Sequence, residues 1–152
     1  MCLLVVLPSL ASAGHAVVEN YLNDDIFVAI AYRHFKGTTK LFAEGWFPVK
    51  RAGDKRTFAA DDADDMYLRV IRGGNEVTFP NHRDFLFFPV HLSEAFSASQ
   101  APDDRFVDIL RWGPNLKEVF TVNNMTPNLP AGWARQRFFR IGSQRVKLEL
   151  RP

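Results

Sequence analysis

Ile26-Phe27-Val28-Ala29-Ile30-Ala31-Tyr32 is the stretch that most restricts the fold. These seven residues carry no charge and are rich in β-branched and aromatic types, and the run is too short for a typical helix. It predicts a strand buried on both faces, which requires a layer of structure on each side. A short way on, Glu44-Gly45-Trp46-Phe47 sets a glycine directly before two large aromatics. A glycine within a strand predicts a backbone that something approaches closely. Neither stretch holds a recognisable catalytic group.

At 152 residues the chain suits one domain whose core needs no disulfide or metal. Its 14 phenylalanines favour a sheet-on-sheet core, where rigid apolar side chains interdigitate between two layers. Short β-like runs alternate with turn signals at 17–22, 26–35, 41–49, 55–60, 66–72, 76–79, 83–90, 105–112, 116–122, 134–141 and 144–150. Residues 93–100 fit a short helix or a strand equally well. The first two runs read as a hairpin about Asn23-Asp24-Asp25, and the last two as a hairpin about Gly142-Ser143. Pro48 pushes its strand toward a sheet edge or an early end. Val146, Leu148 and Leu150 alternate strictly with Arg145, Lys147, Glu149 and Arg151, so that strand has one face on the core and one in water. The expected fold is an all-β, single-domain antiparallel β-sandwich with a Phe-rich core and at most one short helix.

The N-terminus reads as an export signal. An apolar run, Cys2-Leu3-Leu4-Val5-Val6-Leu7, leads to Ala11-Ser12-Ala13, a small-x-small cleavage pattern. Residues 1–13 are the expected signal peptide and 14–152 the domain; cleavage after Ala16 is the alternative. No Lys or Arg precedes the run, so the usual positive start is missing. The run is too short to span a bilayer. Pro8 and the Ser/Ala/Gly-rich stretch after it argue against the competing reading, a first strand of the domain. Cys2, the single cysteine, falls inside this segment, so the processed chain holds no thiol. The expected location is periplasmic or extracellular.

The segment from Val18 to Gly53 resembles a family of bacterial secreted proteins, the domain of unknown function 1036. The resemblance rests on Asn20, on Ile26-x-Val28-Ala29-Ile30-x-Tyr32, on Glu44-Gly45-Trp46-Phe47-x-Val49 and on Gly53, with a looser fit around Tyr67 and Phe96. It implies an exported, β-rich domain and supplies no catalytic residue. Cysteines that members often carry after this block are absent here.

Formal charge is +2, too balanced to imply nucleic-acid binding, but its distribution is uneven. Arg135, Arg137, Arg140, Arg145, Lys147 and Arg151 face a single Glu149 near the C-terminus. On two strands of one hairpin they would form a cationic patch for an anionic surface polymer or another envelope protein; the plainer reading is a charged face protecting a sheet edge. Trp46 is the candidate aromatic platform for a sugar ring or peptide, against a core role at one end of the sheet. Asp61, Asp62, Asp64 and Asp65 are candidate calcium ligands, although the run lacks the glycine and distant glutamate of an EF-hand loop, and a solvated turn explains it as well. His82, Asp84 and His91 flank one strand whose ends lie about 20 Å apart at ~3.3 Å per residue, too far to share an ion. There is no Gly-x-Ser-x-Gly elbow and no phosphate-binding glycine loop.

These features predict an exported, non-catalytic β domain that binds or supports other components at the cell envelope or outside the cell, with no required cofactor. Two alternatives stay open: a small secreted hydrolase with an acid/His site, and a self-assembling strand-exchange subunit.

Overall fold

The computed structural model describes residues 2–8, 15–33, 41–59, 66–79, 84–100, 107–123, 128–141 and 144–150. Strands β1 (Cys2–Pro8), β2 (His15–Asn20), β5 (Asp54–Ala59) and β13 (Gln144–Leu150) make a small sheet in the order β1-β13-β2-β5. Strands β3 (Ile26–Arg33), β4 (Leu41–Val49), β6 (Met66–Arg72), β8 (Phe85–His91), β9 (Phe96–Gln100), β10 (Val107–Trp112), β11 (Glu118–Asn123) and β12 (Trp133–Arg140) make a large antiparallel sheet in the order β11-β10-β9-β4-β3-β6-β12-β8, with β7 (Asn75–Val77) attached to β6. The large sheet curls, bringing β8 back against β9 and β4. The all-β sandwich is therefore present. Among the described residues its only helical piece is a 3-10 turn, Pro114–Leu116, and residues 96–100 take the strand alternative. No described helix is long and apolar enough to cross a membrane.

Strand β3 meets the two-faced expectation through a division of side-chain sizes. Ile26, Val28 and Ile30 enter the core between the two sheets, together with Val18, Phe58, Leu68, Phe79, Phe139 and Leu148. Ala29 and Ala31 point the other way, into a second core enclosed by the curl, with Phe88, Phe96, Leu110, Trp133 and Phe138. Branched side chains fill the wide gap between sheets, whereas methyl groups leave room for the aromatics on the concave side.

Gly45 is where that concave side is tightest. The β3–β4 register runs Val28↔Phe47 and then Ile30↔Glu44, so Gly45 and Trp46 together oppose the single residue Ala29, a β-bulge. A Cβ built on Gly45 would stand 2.7 Å from Phe96 Cε1 and 2.8 Å from Ala29 Cβ. The extra residue bends β4 and re-aims Trp46 toward the chain leaving β8. Glu44 accepts a long hydrogen bond from the Tyr32 hydroxyl at 3.4 Å. Pro48 fits for a simple reason: β9 pairs with β4 only from Phe42 to Gly45, so that side of β4 is already free of a ladder at Pro48.

Two expected hairpins are absent. β2 does not pair with β3; it lies between β13, in parallel, and β5, while β3 lies between β4 and β6. The turn after β2 carries the chain from one sheet to the other, and Asn20 holds it. Fully buried, its Nδ2 donates to Asp24 O at 2.8 Å and Val49 O at 3.0 Å, and its Oδ1 accepts from Leu22 N at 3.0 Å. Asp25 extends the clamp by accepting from Arg51 N and Lys50 Nζ, and these bonds hold its carboxyl below the usual carboxylate range. Nor do β12 and β13 form a hairpin, because they lie in different sheets.

One ionic group lies in the second core. Arg69 is 7% exposed, ion-paired to Glu76 at 3.4 Å, and donates to Arg137 O at 3.1 Å. Glu76 also pairs with Arg137 at 3.2 Å. Burial pulls the Arg69 guanidinium below its ordinary value, opposed by Glu76. Glu76→Ala is expected to cost about 2 kcal/mol, because it strands a buried cation, whereas Arg69→Met, which removes the charge and keeps the volume, should cost less. Urea denaturation of both variants checks the order; a larger loss for Arg69→Met would contradict it.

Candidate functional site

Half-exposed apolar side chains gather at the end of the large sheet where β3 and β4 begin and end. Phe27 of β3 is 46% exposed and Leu92, just past β8, is 58% exposed. With Trp46, Ile71, Ser93 and Ala95 they border an open hollow of about 390 Å³, closed on one side by Gly74 of the β6–β7 turn. Among the described residues that border it none carries a charge, and Ser93 supplies their single hydroxyl. Such a lining suits apolar surface.

His91 shapes one wall. It is 5% exposed, stacks on Trp112 at 6.1 Å and meets the edge of Trp133 at 5.6 Å. Its Nδ1 accepts from both Ser93 N (3.2 Å) and Glu94 N (3.0 Å), which folds residues 92–94 into a tight turn. With Nδ1 an acceptor, the ring proton belongs on Nε2, which faces Glu94 Oε2 at 3.5 Å. Gly132 backs the imidazole: its φ is +86° and an added Cβ would fall 2.7 Å from Nε2. Leu92 N donates to Gly132 O at 2.8 Å. The loop that presents Leu92 and Ser93 is thus held from behind at three points.

Trp46, the aromatic candidate, is part-buried at the rim of the second core. It packs on the second core with its ring edge-on to Phe96 at 5.7 Å, and its Nε1 donates to His91 O at 2.8 Å. The remaining surface of the ring lines the hollow. Phe96, Trp133 and Trp112 continue the aromatic stack behind it at 5.6 and 5.5 Å. The Trp133 indole N–H is buried without a partner among the described residues.

The basic candidates do not converge as one hairpin patch. β12 pairs with β6 and β8 in the large sheet, and β13 pairs with β1 and β2 in the small one. Arg137 is occupied by Glu76 and lies over Phe139 at 4.7 Å; Arg140 approaches Asp84 at 3.7 Å. Arg135 is exposed on β12. Lys147 pairs with Glu149 and sits over Tyr21 at 4.6 Å. Arg145 is placed on β13 by its backbone. Arg151 and the acidic run Asp61, Asp62, Asp64 and Asp65 lie outside the described residues, as does His82. Strict alternation on β13 identifies an outward face correctly, but nothing in it names the neighbouring strand.

Sequence reasoning did not select Phe27, Leu92, Trp112 or Trp133. The signal joining them is a pair of registers, Trp133↔His91 and Trp112↔Phe96, which bring segments from 91 to 133 to one end of the sheet. A second hollow, of about 530 Å³, lies around Asp24, Arg72 and Asn75, where Arg72 is already paired with Asp24 at 2.6 Å. Among the described residues no three His, Cys, Asp or Glu side chains come together as a metal site. No family model matches the chain, and neither a curated protein nor a solved structure matches it.

Proposed function

We propose that this chain is an exported binding module whose contact surface is the apolar hollow bordered by Phe27, Trp46 and Leu92. The observation that carries this reading is the exposure of two large apolar side chains at the mouth of a hollow whose described lining is uncharged and whose wall is held by hydrogen bonds. Exposed hydrophobes normally lower solubility, and a supported concave group of them suits recognition of an apolar partner surface. The ligand class that fits is an apolar peptide side chain or the flat face of a sugar ring against Trp46. Export is supported by the apolar run before Ala11-Ser12-Ala13 and by the resemblance to a secreted family.

The dye 1-anilinonaphthalene-8-sulfonate is a direct probe. Leu92→Asp and Phe27→Asp, both at exposed positions, are expected to raise its Kd by about tenfold with little change in melting temperature. Unaltered dye binding in both variants would remove the hollow as the contact surface. Peptide and glycan arrays then separate the two ligand classes. The polyanion reading rests on a smaller base, because β12 and β13 lie in different sheets and Arg137 and Arg140 already face acids.

A further inference from the structure

The outer edge of the small sheet is occupied by the N-terminal segment. β1 pairs antiparallel with β13 over its whole length, from Cys2↔Leu150 to Pro8↔Gln144. Among the described residues β1 has no other strand partner, so it can leave without breaking a second ladder. Its departure would uncover a row of β13 main-chain donors and acceptors beside two fully buried core residues, Val146 and Leu148. The registers opposite these are Val6 and Leu4. Opposed residues of an antiparallel pair share a face, so a strand seated here has to place aliphatic residues two positions apart. On the outward face Lys147 and Glu149 pair with each other. The seated strand is also the apolar run of the export pattern, and Ala11-Ser12-Ala13 follows it.

We infer that the outer edge of β13 is a strand-acceptor site. Cys2–Pro8 is its exchangeable occupant, and after its removal the edge takes an extended segment of a partner protein. That segment runs antiparallel to β13 and carries aliphatic side chains opposite Val146 and Leu148. Main-chain hydrogen bonds supply the affinity and the two aliphatic positions supply the register, the division of labour found in β-strand addition. This surface lies on the other sheet from the apolar hollow and does not depend on it.

The test uses the full chain with residues 9–14 replaced by a site-specific protease sequence, purified folded and then cut. A fluorescent peptide of the sequence from Met1 to Ser9, in excess, is expected to displace the severed strand and load at one per chain. The uncut chain should load about tenfold less or worse, because its own strand is tethered. The same peptide with Leu4→Asp and Val6→Asp should fail to load. Equal loading of cut and uncut chains, or equal loading of the Asp peptide, overturns the inference. A second variant guards against collapse of the cut chain. Leu150→Cys sets a thiol opposite Cys2, within the Cα separation a disulfide accepts. Oxidation of that full-length variant should close an internal disulfide and block loading after cutting until a reductant is added. Failure of the disulfide to form overturns the proposed seat. Precipitation of the cut chain in both tethered and untethered forms does so as well, whereas precipitation of the untethered form alone supports an opened edge.

Discussion

Gly45→Ala is expected to destabilise the domain by about 3 kcal/mol, the upper part of the range for overpacking a close-packed interior. The new methyl would meet Phe96 Cε1 at 2.7 Å and Ala29 Cβ at 2.8 Å, and both are buried. Neither neighbour is a flexible side-chain end. Phe96 is held edge-on by Trp46 and Trp133, and the Ala29 Cβ is fixed directly to the backbone of β3, where Ala29 is fully buried. Relief has to come from shifting β3 or the aromatic stack, and the stack supports the wall of the hollow. The variant should therefore lose dye binding and stability together, whereas Leu92→Asp weakens dye binding alone. Denaturant midpoints at constant m-value measure the first effect. A loss below about 1 kcal/mol would mean that the bulge relaxes easily and that the close approach is incidental. Adding Ala29→Gly to Gly45→Ala should recover part of the loss, because it removes the closer-fixed of the two atoms.

Asn20→Asp should be at least as damaging at neutral pH. Asn20 is fully buried, and its amide N–H groups serve two carbonyl oxygens, Asp24 O and Val49 O. A carboxylate there would set negative charge against both carbonyls and keep only the bond from Leu22 N, at an expected cost of about 4 kcal/mol. The pH dependence carries the diagnosis. Burial beside carbonyls raises the folded-state pKa of the introduced Asp above its unfolded value of about 3.9. The unfolded chain then releases the proton more readily, so the penalty is full at high pH and shrinks as pH falls through the folded pKa toward the unfolded one. Asn20→Leu, with no proton to bind, should lose about 3 kcal/mol from the orphaned polar groups at every pH. Parallel pH profiles for the two variants would show that the side chain does not sit against those carbonyls.

The contrast between these sites and the rest of the molecule explains how far the sequence could be read. Strand spans were legible because alternation and turn residues act over neighbours: 66–72, 41–49 and 144–150 coincide with β6, β4 and β13. The close approach at Gly45 was legible too, since a glycine ahead of two aromatics has few other uses in a strand. The atoms that approach were not. Phe96 lies far along the chain and reaches Gly45 through the register of β9 on β4. Asn20 stood out as part of a resemblance, yet its task as the lock between two sheets appears only when the turn after β2 is seen to change sheets.

By itself, the sequence determined the local half of this protein: the strands of the described residues, a central strand with apolar residues on both faces, and an aromatic core. Which strands lie side by side was decided in three dimensions. Hydrogen-bonding edges are chemically alike, and a short turn fits a change of sheet as well as a hairpin. Selection among partners therefore fell to the joint packing of distant side chains. That packing separated β12 from β13 and divided the basic residues between two sheets. It also drew His91, Trp112 and Trp133 behind Trp46. Strand β3 joins the two halves: its apolar run called for a layer on each side, and tertiary packing set its branched residues against one layer and its methyl groups against the other.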